Sequence, residues 1–389
     1  MTQNPAPRSG FPKSELRWSR SQKDLLEFYQ VSNLDGFFLE PYSGHCTGPR
    51  TRGKRDDLFT LFTTRRFDFF IRFSHRAASP LCDKMREPIL VRASAGAGSP
   101  LLSLLPAAGS PAAATVVLFP GDISTRRADM ERDPELRQWS QWCCEDLCRM
   151  LAVRWPACHA VVVHPPRSVG GFSFYDGWVP NIDAAGDAAS YDGANGVACG
   201  LLLAQLRDAA AACGGSEEPL RLLAFSHGAV VLNQLVAEMG APAPTQTAQQ
   251  LALRVNCLCW LDPGLACEPG AGIMPGAATA ASTMARLCGG RGPRHMHVAL
   301  TPYQLQPRGW WPRYWRLAWR WPPLSRESDA AAATRRLAEV LRDESAAGVT
   351  ITTEQCATDR PPGLDGHFAV LREFHAPWEP SREGTSDPG

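Results

Sequence analysis

Residues 220–230 read Leu-Arg-Leu-Leu-Ala-Phe-Ser-His-Gly-Ala-Val, and residues 231–240 continue as Val-Leu-Asn-Gln-Leu-Val-Ala-Glu-Met-Gly. Two apolar runs meet at Ala-Phe-Ser-His-Gly. The first is too short for a helix and reads as a buried strand. The second has helical spacing and stops at a glycine, as helices commonly do. A strand, then small-x-Ser-x-Gly, then a helix is the context of a nucleophile elbow. Small residues flank the serine because larger ones would clash where strand and helix approach. The hydroxyl then projects at the end of the sheet, near the positive end of the following helix. Ala224 fills the first small position and Gly228 the second. The same pentapeptide also suits an ordinary strand-to-helix turn with a serine N-cap, so a nucleophile at Ser226 has to be judged by its partners elsewhere in the chain.

Outward from this stretch, element types alternate. Residues 115–122 (TVVLFPGD) are a short β-branched run closed by Pro-Gly, a buried strand and a turn. Helical spacing is expected over 132–155, 195–213, 228–240 and 329–344. Further strands are expected at 159–166, 254–262, 295–303 and 348–355. Most of these strands lack polar alternation, as expected when helices cover both faces of a mostly parallel sheet. The fold class is therefore α/β, with an α/β-hydrolase-like arrangement. One domain is expected over 23–376, between a flexible basic segment at 1–22 and a flexible tail at 377–389. The segment 61–73 (LFTTRRFDFFIRF) reads as strand or hairpin, and the low-complexity stretch 94–114 as a surface loop.

Bulk properties narrow the function. The 389 residues carry a formal net charge of +1, which argues against capture of nucleic acid by the whole domain. No run approaches the ~18 apolar residues of a transmembrane helix, and the N-terminus lacks an apolar signal core. The 13 cysteines are an odd number in no repeating spacing, several of them inside apolar runs, which points to free thiols in a reducing compartment. Cys144 and Cys148 share a helical face, with no matching Cys/His set for zinc. No metal or organic cofactor is implied.

A nucleophilic serine needs an acid and then a histidine in that chain order on this fold. Asp262 ends the next strand, just before Pro-Gly, where a turn-starting aspartate is also common. His367, in PPGLDGHFAVLREF, follows a Pro/Gly loop after the last expected strand; it too has a bland reading as a loop histidine. Asp365 is a spare acid, too close in sequence to orient His367 comfortably. The oxyanion hole should combine the amide after the nucleophile, His227, with one of Gly121, Asp122 or Ile123. His45, His159 and His164 receive no role.

With VVLFPGD, AFSHGAVVLNQL, WLDPG, HVALTPYQ and DGHFAVLREF in this order, the chain resembles the chromosome 2 open reading frame 69 family of mitochondrial, α/β-hydrolase-like proteins. GGFSFYDGWV (170–179) looks like that family's aromatic loop. The resemblance covers about 115–375 and implies a nucleophile at Ser226, an acid at Asp262 and a histidine at His367. It also implies a mitochondrial location. The family usually has glycine where Ala224 stands and Gly-Gly where Pro263-Gly264 stands.

Residues 308–323 (RGWWPRYWRLAWRWPP) are an aromatic and basic insert. Wound as a helix, they put Trp311, Trp315 and Trp319 on one face and Arg313, Arg316 and Arg320 on the other. Such a helix suits a membrane interface, a lid over an acyl pocket, a grip on a nucleic-acid strand, or simple packing of the tryptophans on the core. The lead expectation is a serine hydrolase of the esterase or thioesterase type, acting on a small-molecule or lipid acyl substrate with peripheral membrane contact and no nucleic acid. A peptidase is a further reading. The alternative from another class is a non-catalytic hydrolase-fold protein that binds a protein partner or a lipid.

Overall fold

Alternation along the strands decides how the core is built. In 116–119, Val117 and Phe119 pack into one apolar cluster, while Val116 and Leu118 pack into a second. In 222–225, Leu222 and Ala224 join the first cluster and Leu223 and Phe225 the second; Trp260 and Leu261 divide in the same way. Successive strand side chains point to opposite faces, so these runs are apolar throughout because both faces of the sheet are covered. In the computed structural model, the residues described are 87–91, 100–105, 112–169, 171–182, 186–213, 218–263, 278–289, 292–305 and 349–379. They belong to one unit, Asp83–Gly389.

The strands in chain order are β1 (Ile89–Val91), β2 (Leu101–Leu104), β3 (Ala114–Phe119), β4 (Cys158–Val163), β5 (Arg167–Val169), β6 (Phe172–Phe174), β7 (Asn181–Ile182), β8 (Ala188–Ser190), β9 (Leu220–Phe225), β10 (Val255–Leu261), β11 (His295–Leu300) and β12 (Thr350–Gln355). Eight form the central sheet in the order β1-β2-β4-β3-β9-β10-β11-β12. β2 runs antiparallel to both its neighbours, and every other pair is parallel. The small hairpins β5/β6 and β7/β8 lie in the connection that follows β4. Register sets the carboxyl edge. Phe225 lies opposite Leu261, Leu261 opposite Ala299, and Phe119 opposite Ala224. Ser226, Asp262, Thr301 and the Pro120-Gly121-Asp122 turn therefore leave the sheet side by side.

Four local expectations change. The stretch 94–114, expected to be a surface loop, carries the fully buried strand β2 (Leu101–Leu104) and the first residue of β3, because its Leu-Leu-Ser-Leu run pairs with β1 and β4 inside the central sheet. The helix expected over 132–155 is instead a short helix Arg127–Arg132, a 3-10 turn Arg137–Trp142 and a helix Cys144–Arg154. Pro134 forces Asp133 out of the helical region (φ −89°, ψ 117°). Cys143 is likewise extended, and Cys144 and Cys148 are buried as the shared-face reading requires. The strand expected to reach Tyr303 ends at Leu300, because Pro302 opens the short helix Pro302–Leu305. The strand expected through Pro166 ends at Val163, before the Pro165-Pro166 pair. The nine cysteines whose side chains are described are free and buried, and burial pushes the thiols of Cys143 and Cys356 up to about 12. Segments 1–22 and 61–73, the helix expected over 329–344 and the insert with Trp311, Arg313, Trp315, Arg316, Trp319 and Arg320 lie outside the described residues, as does His45.

The helix behind Ser226, Ala229–Met239, is buried along its whole length. Its Glu238, 1% exposed, accepts the Ala198 and Cys199 amides at 3.0 and 2.8 Å. It thereby caps the helix Val197–Cys213, where the dipole favours a carboxylate. Gln234 donates to the same carboxylate at 2.9 Å and to the Asp192 carbonyl at 2.6 Å. Asn233 receives the Trp260 indole N–H at 2.9 Å and donates to the Tyr191 hydroxyl at 3.2 Å. The polar pair inside VVLNQL thus fastens the elbow helix to β10 and to the segment that follows β8.

At the other end of the chain, Glu379 falls in the stretch expected to be a flexible tail, yet it is tied down. It accepts from Arg154 Nε at 2.9 Å, Trp155 Nε1 at 2.8 Å and the Ala376 amide at 3.1 Å. Burial raises its pKa, but the Arg154 bond and charge outweigh this, and the net shift is downward from 4.5. A carboxyl with a depressed folded pKa contributes stability above its unfolded pKa and loses it as pH falls through the folded value. Glu379→Gln is therefore expected to melt below wild type at pH 7. The gap should shrink as the pH falls below the ordinary glutamate range, which thermal melts across pH 3–7 would read.

Candidate active site

Ser226 follows the last residue of β9 with φ +50°, a left-handed conformation that costs a non-glycine residue ~1–3 kcal/mol. The neighbours hold it there. A Cβ on Gly228 would sit 2.1 Å from the Phe119 carbonyl oxygen and 2.7 Å from that of Pro120. A Cβ on Gly121 would sit 2.5 Å from Ser226 Cβ and 3.2 Å from Ser226 Oγ. Both positions need glycine because the elbow is pressed against the loop leaving β3. Four non-glycine residues have positive φ among the described residues, and three of them, Ile123, Ser226 and Asp262, cluster at this edge. Strain of this kind concentrates at functional sites.

Asp262 is fully buried and accepts three hydrogen bonds. The Thr301 amide donates to Oδ1 at 2.7 Å, the Thr301 hydroxyl to Oδ2 at 2.6 Å, and His367 Nδ1 to Oδ2 at 2.5 Å. His367 lies in the first turn of helix Leu364–Glu373 and is 4% exposed. Its ring is flanked by Phe225 and Tyr303, each with its centroid 4.6 Å away. With Nδ1–H committed to the carboxylate, Nε2 is the ring's basic nitrogen. Asp365, the spare acid, is exposed and lies two residues before His367 in the same helix, so it points away from this bond. Ser226 is half-buried, and its hydroxyl makes no hydrogen bond among the described residues. Ser226 and His367 are not hydrogen-bonded to each other among the described residues, and such bonds commonly tighten only with substrate bound.

The expected oxyanion amides separate. Ile123 N–H is already spent on the Gly171 carbonyl at 2.6 Å, so it drops out as a donor. Gly121 and Asp122 have no acceptor on their amides among the described residues. The His227 imidazole turns away from the serine: Nε2 meets the Gly186 carbonyl at 3.1 Å, and Nδ1 lies 3.6 Å from Asp187. Its amide remains the backbone group next to Ser226.

Thr301 and Tyr303 were not identified as site residues from sequence, although they sit within the quoted HVALTPYQ. The available signal was position: in an open α/β sheet, residues just beyond the carboxyl ends of the strands line the site. His159 and His164 are structural. His159 meets Ser103 Oγ at 2.6 Å between strands, His164 meets Thr125 Oγ1 at 3.1 Å, and burial lowers the pKa of both. Among the described residues no group of three or more His, Cys, Asp and Glu side chains could hold a metal ion.

A mostly parallel sheet with one antiparallel strand, a strained serine after a central strand and a buried Asp–His pair at the same edge are the arrangement of an α/β-hydrolase fold. Within that class the chain belongs to the C2orf69 family, whose sequence profile matches residues 100–194 and 183–310, more than half of the chain. It is 28% identical over 276 residues to the mitochondrial protein C2orf69 homolog of Danio rerio, covering 67% of this chain and 72% of that one. It is 24% identical over 311 residues to the namesake from Mus musculus, covering 67% and 77%. The mitochondrial location expected from the resemblance is the one carried in the names of both relatives. Solved structures similar to it include a poly(3-hydroxybutyrate) depolymerase, LpqC, from Bordetella parapertussis (17% identity, 73% and 85% coverage, TM-score 0.41). Another is the siderophore hydrolase EstA from Aspergillus nidulans (11% identity, 77% and 96% coverage, TM-score 0.40).

Proposed function

We propose that this protein is a mitochondrial serine hydrolase acting on an ester or thioester of a small-molecule or lipid acyl group. The observation that carries the reading is the buried 2.5 Å Asp262–His367 bond at the edge where Ser226 is held in a left-handed turn. Ser226 Oγ attacks the acyl carbonyl carbon while His367 Nε2 takes the hydroxyl proton. Asp262 keeps Nδ1 protonated and stabilises the imidazolium. The oxyanion is received by backbone amides at His227 and at the β3 turn. As the bond to the leaving group breaks, Nε2 returns the proton to the departing alkoxide or thiolate. Water then attacks the acyl-serine with the same nitrogen as base, releasing the acid and restoring the serine. No step requires a metal or cofactor.

The test is labelling by a fluorophosphonate probe, which forms an Oγ–P bond and releases fluoride only from an activated serine. Wild-type protein is expected to label, and Ser226→Ala, with an unchanged circular dichroism spectrum, to show no labelling. A folded wild-type protein that resists the probe would sink the catalytic reading in favour of a protein that binds a partner or lipid on a hydrolase fold.

A further inference from the structure

The GGFSFYDGWV segment has no place in the mechanism above, yet it makes more bonds to the β3 turn than any other described segment. Tyr175 OH donates to the Pro120 carbonyl at 2.5 Å, and Ser173 Oγ donates to the Gly121 carbonyl at 3.0 Å. Ser173 N–H donates to Asp122 Oδ1 at 2.8 Å, and the Gly171 carbonyl accepts Ile123 N–H at 2.6 Å. Four consecutive residues, 120–123, are each held by a different group of one hairpin. The three tyrosine and serine bonds all come from buried residues of β6 and its continuation.

Peptide geometry gives these bonds a consequence on the opposite side of the loop. Every peptide described is trans, so each C=O is antiparallel to the N–H of the next residue. Drawing the Gly121 carbonyl toward Ser173 turns the Asp122 N–H away from the hairpin. Drawing the Pro120 carbonyl toward Tyr175 does the same for the Gly121 N–H. The Cα between those amides is the one whose missing side chain faces Ser226 Cβ and Oγ. Ile123, the one amide of the turn with a backbone acceptor, stands at φ +60° and marks where the chain reverses.

We infer that Ser173 and Tyr175 are positioning residues for the oxyanion hole, and that they aim the Asp122 amide, with Gly121 beside it, at the oxygen developing on a substrate bound to Ser226. This rests on the serine-hydrolase reading above. The donors are set before substrate arrives, which is what makes such a hole effective. Tyr175 suits this work because its ring is fully buried, with the His227 imidazole stacked beside it at a centroid distance of 6.4 Å. Burial also pushes its phenol well above the usual 10, so the hydroxyl stays a donor. The hairpin therefore belongs to the catalytic apparatus although no side chain of it need touch the substrate.

The experiment measures kinact and KI for a fluorophosphonate probe on full-length protein. The variants are Ser173→Ala, Ser173→Thr and Tyr175→Phe, with a thermal melt of each. Loss of either hydroxyl is expected to lower kinact about 10- to 100-fold with KI unchanged, as for a donor displaced by a fraction of an ångström. Ser173→Thr keeps the hydroxyl and is expected to recover most of kinact. If wild type labels and both hydroxyl deletions label at the wild-type kinact, the inference is overturned and the Ser226 reading stands. A parallel fall of kinact and melting temperature that Ser173→Thr fails to rescue also overturns it, since that is the pattern of a merely structural bond. If wild type itself does not label, the Ser226 reading fails and this inference falls with it.

Discussion

Replacing Asp262 by asparagine is expected to lower the fluorophosphonate labelling rate about 10³- to 10⁴-fold in a protein that still folds. The carboxylate is an acceptor on both oxygens and meets three donors, from Thr301 N–H, Thr301 Oγ1–H and His367 Nδ1–H. An asparagine brings one NH2 to that cage. Turned toward Oδ2's place, it confronts both the threonine hydroxyl and the imidazole. The ring must then accept at Nδ1 and carry its proton on Nε2, where it can no longer take the Ser226 proton. Turned toward Oδ1's place, it confronts the Thr301 amide, and two buried donors face each other. Either way the site loses a tautomer or gains an unsatisfied donor. Thr301→Val removes one of the three bonds and leaves the carboxylate, so its expected loss is smaller, about 10-fold. Equal labelling of Asp262→Asn and wild type would show that His367 works without this partner. Rates from gel fluorescence, paired with circular dichroism melts, separate loss of reactivity from loss of fold.

Gly228→Ala is expected to cost more than ~3 kcal/mol of stability and to abolish labelling. The added Cβ would lie 2.1 Å from the Phe119 carbonyl oxygen and 2.7 Å from the carbonyl carbon behind it. These are backbone atoms of a central strand, so no side chain can rotate aside. Relief requires moving the helix Ala229–Met239 off the sheet. That would open contacts among Trp260, Val231 and Leu235, all buried in one cluster. It would also pull the β3 turn away from Ser226. Gly200→Ala is the matched control. Its Cβ meets nothing within 4 Å and it lies inside the helix Val197–Cys213, so alanine should stabilise by roughly 0.5–1 kcal/mol. Denaturant midpoints of the two variants should move in opposite directions. A Gly228→Ala protein as stable as wild type would mean that the elbow is not packed against β3 as described.

The parts legible in the sequence were those set by neighbours in the chain. Apolar runs without alternation at 115–119, 220–225 and 255–261 announced strands covered on both faces, and Pro-Gly or Ser-x-Gly after them announced turns at one edge. Asp262 could be named because it ends a strand, and His367 because it follows the Pro/Gly loop after the last strand, in the required order. The sequence reading failed where a short-range signal was outweighed. The helical spacing of 132–155 is interrupted by Pro134, which holds Asp133 in an extended conformation that periodicity alone does not register. The strand at 295–303 was shortened by Pro302 for the same kind of reason.

Other features had no local signature. Thr301 is an unremarkable threonine until register sets it beside Asp262. Tyr303 is an ordinary aromatic until His367 stacks on it. Ile123 could not be told from Gly121 and Asp122 as an oxyanion donor, because what removes it is a carbonyl 48 residues away, at Gly171. Periodicity, turn chemistry and chain order are properties of adjacent residues, and the sequence by itself determined the α/β class and the strand–turn–helix at Ser226, with Asp262 and His367 following in order. Which amides are spent, which hydroxyls aim them and how the acid is caged depend on strand register and on a hairpin packed across the sheet. Those are long-range contacts whose partners only the folded chain brings within hydrogen-bonding distance, so the tertiary structure alone decided them.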